Sequence, residues 1–183
     1  MSRETGFQRS FPGPRWCFLA LHPDQALCFD DLQAGDEWES PARTVTEADV
    51  VAFAGLSGDF NAIHVDHESA RQGAFGRPVA HGLLGLAMSS GLSSHSPRMA
   101  TLAFLAIERW AFLKPIAFGD TIRVLTRVES ITPKARNRRA EVTWLRRLIN
   151  QSGETVQEGI TRTLVKGRAA DAQPPGTSEE QSF

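Results

Sequence analysis

The stretch Gly82-Leu83-Leu84-Gly85-Leu86-Ala87-Met88-Ser89-Ser90-Gly91-Leu92 decides the fold. Its small residues (Gly82, Gly85, Ala87, Ser89, Ser90 and Gly91) are too many for a helix chosen by propensity. Each helical glycine costs up to about 1 kcal/mol against alanine. Such a cost is tolerated where another backbone or a ligand must come close. Leu83, Leu84, Leu86 and Met88 cover the other sides, so the helix is expected to be apolar nearly all round and buried.

Downstream the hydrophobic period changes from helical to alternating. Residues 100–112, 121–131, 138–148 and 155–165 read as four long strands. In the second, Ile122, Val124, Thr126 and Val128 alternate with Arg123, Arg127 and Glu129, which is period two with one wet face. Gly119-Asp120, Pro133-Lys134 and Ser152-Gly153 are the expected turns. A buried helix followed by a run of antiparallel strands predicts an α+β fold, a single curved sheet wrapped around that helix.

Upstream, residues 38–45 read as one strand. Thr46 then caps a helix whose first turn carries Glu47 and Asp49, suited to the positive end of the helix dipole. Val50, Val51, Phe53, Ala54 and Leu56 form its apolar stripe, and Ser57-Gly58 stops it. His67–Arg71 reads as a short helical piece.

The ends differ from this middle. Residues 1–26 carry Pro12, Gly13, Pro14 and Pro23 and are expected to be an irregular extension. Residues 168–183 are too polar to offset their ordering entropy and are expected to be a disordered tail. One domain, 27–167, lies between. The formal net charge of −1 gives no field for nucleic acid or an anionic membrane. No apolar run is long enough to span a bilayer, and the segment 16–21 is too short for a signal peptide. Cys17 and Cys28 read as reduced thiols of a cytoplasmic protein.

The chemistry concentrates in Ser57-Gly58-Asp59-Phe60-Asn61-Ala62-Ile63-His64-Val65-Asp66. An acid, an amide and an imidazole fall within one loop directly before the buried helix. Asp59, His64, Asp66, His67 and Glu68 are rich in metal-ligand types. They lack a His-Glu-x-x-His spacing, a nearby cysteine pair and an EF-hand register, so no metal is expected.

These residues resemble the MaoC-like, (R)-specific enoyl-CoA hydratases, which have the hot-dog fold. The resemblance rests on Phe53, Ser57, Gly58, Asp59, Asn61, Ile63, His64 and Asp66, on Pro78–Leu83, and on Lys114–Asp120. The departure is Ala62, where that family usually has proline. The resemblance implies an antiparallel curved sheet around a central glycine-rich helix. It implies that Asp59 and His64 activate a water that adds to a trans-2-enoyl thioester, giving an (R)-3-hydroxyacyl thioester or running in reverse. Gly82 would bind the thioester oxygen through a helix N-terminus. Ser90 stands at the family's active-site serine, and Asn61 would orient the loop or the carboxylate. It implies no cofactor beyond the coenzyme A thioester that is the substrate, and a homodimer or dimer of dimers. Two other activities stay open on the residues alone: a thioesterase on the same fold, and a non-catalytic acyl-thioester-binding subunit.

Lys134, Arg136, Arg138 and Arg139 make a basic turn that could meet coenzyme A phosphates, although a solvated hairpin tip is the plainer expectation. Phe104, Trp110, Phe112 and Phe118 are candidates for an acyl tunnel or for core. His81 is expected to link the loop to the sheet, without a proton role.

Overall fold

The structure, a computed structural model, describes residues 26–168. Most of the expected N-terminal extension, including Cys17, and the tail beyond Arg168 lie outside the described residues. At the inner ends Leu27 bridges Met99. Arg168 donates its backbone N–H to Asp30 and pairs its guanidinium with Asp31, so the ordered fold takes in Arg168. Cys28 is a free thiol whose pKa burial raises.

The long strands are β3 (Thr101–Phe112), β4 (Thr121–Lys134), β5 (Arg139–Ile149) and β6 (Thr155–Lys166). With the short β1 (Glu37–Glu39) they form an antiparallel sheet in the order β1-β4-β5-β6-β3, and β2 (Arg43–Thr44) pairs separately with β4. The expected strand over 38–45 is therefore two pieces. Pro41 lies between them and has no N–H for the ladder. Instead Ser40 bonds Val124 twice, through backbone N–H and side-chain Oγ. The second correction is at Pro133-Lys134, expected as a turn. β4 runs through both, and the reversal falls at Ala135, Arg136 and Asn137, all three with positive φ. Pro133 is tolerated because, among the described residues, that end of β4 pairs only with β5.

The long helix is α4 (Gly82–Ser93), and its Leu84 and Met88 pack with Val124, Leu148 and Val156 of the sheet. Gly85 is required there: a Cβ would come within 2.3 Å of the Gln157 carboxamide and 2.8 Å of Ile116. The close approach inferred from the glycines is thus to side chains of the sheet and its flank. The helix is not buried all round, however. Leu83 is 59% exposed, and Ala87 and Ser90 are exposed with it, so one side of α4 faces outward.

Among the described residues three further α-helices precede α4: α1 (Glu47–Ser57), α2 (Ala62–Val65) and α3 (His67–Gln72). α1 starts as expected. Thr46 Oγ1 accepts from the Asp49 N–H, and the Asp49 carboxylate accepts from the Thr46 N–H at 2.9 Å. Val50, Phe53 and Ala54 turn inward, whereas Val51 and Leu56 of the expected stripe are exposed. Asp66 caps α3, accepting from Glu68, Ser69 and the Ser69 hydroxyl, and these bonds hold its carboxyl below the usual range. Among the described residues no helix is long and apolar enough to cross a membrane.

Candidate active site

Asp59 is delivered by the end of α1. Gly58 takes the left-handed conformation at φ 77° and returns its N–H to Ala54, a stop that favours glycine. Ser57 Oγ donates to the Phe53 carbonyl and accepts the Asp59 N–H. Asp59 Oδ1 accepts the backbone N–H of Asn61 at 3.2 Å. The Asn61 side chain is occupied elsewhere, capping α2 by accepting from Ile63. Asn61 therefore holds the carboxylate through its backbone and shapes the loop through its side chain.

His64 is buried. Its Nδ1 lies 2.7 Å from the Val79 carbonyl. A carbonyl can only accept, so Nδ1 carries hydrogen and Nε2 is the atom turned to the acid. The tautomer, unreadable from sequence, follows from this one contact. Val79 is itself fixed by a bridge to Ala117, and the next residue donates to the Ile116 carbonyl. Nε2 stands 3.9 Å from Asp59 Oδ2. That is too long for a direct hydrogen bond. A water about 2.8 Å from both atoms subtends an angle of roughly 90°, so one water fits between them.

The sequence reading kept His81 outside this cluster, and the structure brings it in. Its ring stacks on His64 with centroids 3.8 Å apart, and its Nε2–H donates to the Asp59 backbone carbonyl at 2.8 Å. His81 was expected to link the loop to the sheet; instead it links the loop to the entry of α4, and does so inside the site. Asp59, His64 and His81 offer one ligand atom each within 4.8 Å of one another. A cation there would have to break the His81–Asp59 bond. The rest of the acidic run is dispersed: Asp66 caps α3 and His67 bonds Glu47.

His81 is also the N-cap of α4, which makes Gly82 the first helical residue. Its N–H has no carbonyl partner within the helix and faces the positive dipole end. A Cβ here would lie 2.9 Å from the Phe112 ring, so glycine is what lets Phe112 lie against the turn. The Gly82 carbonyl accepts from Gln157 Nε2 at 3.0 Å, and Gln157 Oε1 accepts from Trp110 Nε1 at 3.0 Å. Gln157 was missed in the sequence reading. The available signal was its place on an inward position of an alternating strand.

Ser90 lies further along α4. It stands eight residues beyond Gly82, about 12 Å along the helix at the usual rise. There it lines a cavity of about 300 Å³ together with Phe104. Of the other aromatic candidates, Trp110 holds Gln157 and Phe118 packs on the core with its edge to His67. The basic residues sit at the β4–β5 hairpin tip, where Lys134 faces Glu141.

The family model of the MaoC-like domain matches residues 31–146. The (R)-specific enoyl-CoA hydratase of Rhodospirillum rubrum is 29% identical over 141 residues, covering 76% of this chain and 92% of that protein. Protein MaoC of Klebsiella aerogenes is 38% identical over 104 residues, 57% of this chain; the match spans only 31% of that longer protein. Among solved structures, the MaoC-like dehydratase of Rhodospirillum rubrum superposes with TM-score 0.69 at 33% identity, over 78% of this chain and 99% of that one. A Mycobacterium tuberculosis protein with a double hot-dog fold gives TM-score 0.68 at 20% identity, over 81% of this chain and 46% of that one, a likeness of fold alone. With a curved antiparallel sheet around α4 and this match over most of its length, the chain belongs to the MaoC-like domain family and has its hot-dog fold.

Proposed function

We propose that the protein hydrates trans-2-enoyl-CoA reversibly to (R)-3-hydroxyacyl-CoA, with one water held between Asp59 and His64. The observation that carries this reading is the 3.9 Å gap between Asp59 Oδ2 and His64 Nε2, with the His64 Nδ1–H committed to Val79. In the neutral tautomer both facing atoms are acceptors. They take the two hydrogens of the water and leave its oxygen lone pair free to attack the β-carbon. One proton passes from water to the Asp59–His64 pair and one is delivered to the α-carbon, so the pair ends as it began. The thioester oxygen, where negative charge develops, is received by the Gly82 N–H. A donor so placed is worth about 3 kcal/mol. The named activities of the Rhodospirillum rubrum relative support this chemistry over thioester hydrolysis.

The functional unit is a homodimer built on β3. This edge strand exposes Leu102, Phe104, Leu105 and Ile107, and an uncovered apolar edge is otherwise an aggregation template. Gel filtration is expected at dimer mass or its double, and monomer mass counts against the assignment. The activity is tested by loss of conjugated enoyl-thioester absorbance over trans-2-enoyl-CoA substrates of increasing length. Asp59→Asn is expected to lower kcat at least about 100-fold while leaving acyl-CoA binding in place. Wild-type turnover that Asp59→Asn leaves untouched would sink the mechanism. Release of free thiol instead would favour the thioesterase.

A further inference from the structure

The inward face of the sheet carries one charge out of place. On β5, Ala140, Val142, Trp144, Arg146 and Leu148 point to the same side, and all but Arg146 are fully buried apolar residues. In register beside it stand Thr126 on β4 and Gly159 on β6, so neither neighbour supplies a carboxylate. Among the described residues Arg146 makes no ion pair, and its buried Nε has no hydrogen-bond partner. Arg123 and Arg162 also have buried Nε atoms, but each has a glutamate oxygen within 3 Å: Glu39 at 2.6 Å and Glu108 at 2.7 Å.

Burial pushes the Arg146 pKa down to about 10, which still leaves a full cation at neutral pH. Arg146 as a whole is part-buried, and a guanidinium whose Nε is shut off from water without a partner is costly unless an anion reaches it. The cavity of about 300 Å³ is where one can. Arg146 lines it with Thr126, Thr163, Ser90, Trp144 and Phe104. A pocket for a plain alkyl chain is lined by alkyl and aromatic groups. This one sets a guanidinium and the hydroxyls of Ser90, Thr126 and Thr163 into a wall that also holds Pro97, Met99, Phe104 and Trp144, and among the described residues the Thr126 hydroxyl has no partner. The cavity lies at the Ser90 level of α4, about 12 Å along the helix from Gly82.

We propose that this cavity seats the far end of an acyl chain that terminates in a carboxylate, so that the substrates are monothioesters of dicarboxylic acids. The assignment rests on the hydratase reading for the thioester end alone. Arg146 is the specificity-determining residue: its fork takes the carboxylate oxygens, and the surrounding hydroxyls complete their hydrogen bonds.

Binding of non-reacting probes tests this. Adipoyl-, suberoyl- and sebacoyl-CoA are titrated calorimetrically against hexanoyl-, octanoyl- and decanoyl-CoA of matching length, on the wild type, Arg146→Met and Arg146→Lys. The best carboxylated member is expected to bind the wild type about tenfold or more tightly than its methyl-ended partner. Arg146→Met should reverse that order, and Arg146→Lys should keep part of it. A wild type that prefers the methyl-ended chain at every length overturns the proposal, as does Arg146→Met weakening both series equally. Should Arg146→Met fail to fold, the wild-type ratio decides alone. The probes are saturated, so a failed hydratase assay leaves this result standing, and the reverse.

Discussion

Replacing Gln157 by leucine removes a carboxamide that ties the edge strand to the start of α4. The side chain is 2% exposed, accepts from Trp110 Nε1 and donates to the Gly82 carbonyl, both at 3.0 Å. Leucine keeps most of the volume and loses both bonds. Each neutral bond contributes about 1 kcal/mol net, and the stranded indole N–H adds a desolvation cost of about 1–3 kcal/mol. The Gly82 carbonyl, free to turn to an intrahelical donor, adds little. A destabilisation of about 2–4 kcal/mol follows, read as a lower urea midpoint at unchanged slope. If Gln157 also holds Gly82 in place for the thioester oxygen, kcat falls about 10–100-fold in the folded variant with KM nearly constant. Gln157→Glu separates the two bonds. A carboxylate accepts from Trp110 but cannot donate to Gly82, so its folded pKa is raised above the unfolded value. Stability is then fully present below the ordinary carboxylate range and lost as pH rises through the folded pKa. Gln157→Leu with an unshifted midpoint and unshifted kcat would refute the reasoning.

Thr46→Ala removes one half of the reciprocal cap of α1 and is expected to cost about 1 kcal/mol in denaturant unfolding. Asp49, the other half, has its pKa lowered by the Thr46 backbone N–H and hydroxyl. Its contribution is present above the ordinary aspartate value and lost as pH falls through the folded one, so the Thr46→Ala penalty should shrink in acid. Ala62→Pro should stabilise by about 0.4–1 kcal/mol in the same assay. Ala62 is the first residue of α2, and Asn61 before it sits at ψ 135°, the region a following proline prefers.

Much of this molecule was legible because its signals are local. The Thr46 cap, the Gly58 stop and the alternation of Ile122 to Val128 are each written within a few residues, and each stands as read. What was not legible depends on what lies across space. Pro41 has no N–H for the ladder, but that it splits the strand in two, with Ser40 bonding Val124 beside the break, shows only against β4. Pro133 stays in a strand because, among the described residues, only β5 pairs beside it. Leu83 is exposed because the fold leaves one side of α4 open. For the site, the loop announced Asp59 and His64, but the Val79 carbonyl that orients His64 is fifteen residues away. His81 and Gln157 are brought in by the turn and the sheet, so loop spacing gave no weight to either.

The carboxylate and the imidazole of the site hang from different supports. Asp59 is the last word of α1, whereas His64 is pinned by Val79, which belongs to the short bridge at Ala117. The chain between them and on to Gly76 is mostly exposed, with His64 and Ala70 its buried residues. Such a segment opens at lower free energy than the sheet behind it. The two halves form a seam, and a seam parts before the cloth tears. On warming, catalysis should fade while the amides of β4 and β5 still resist exchange, which makes activity a thermometer for this loop and not for the fold.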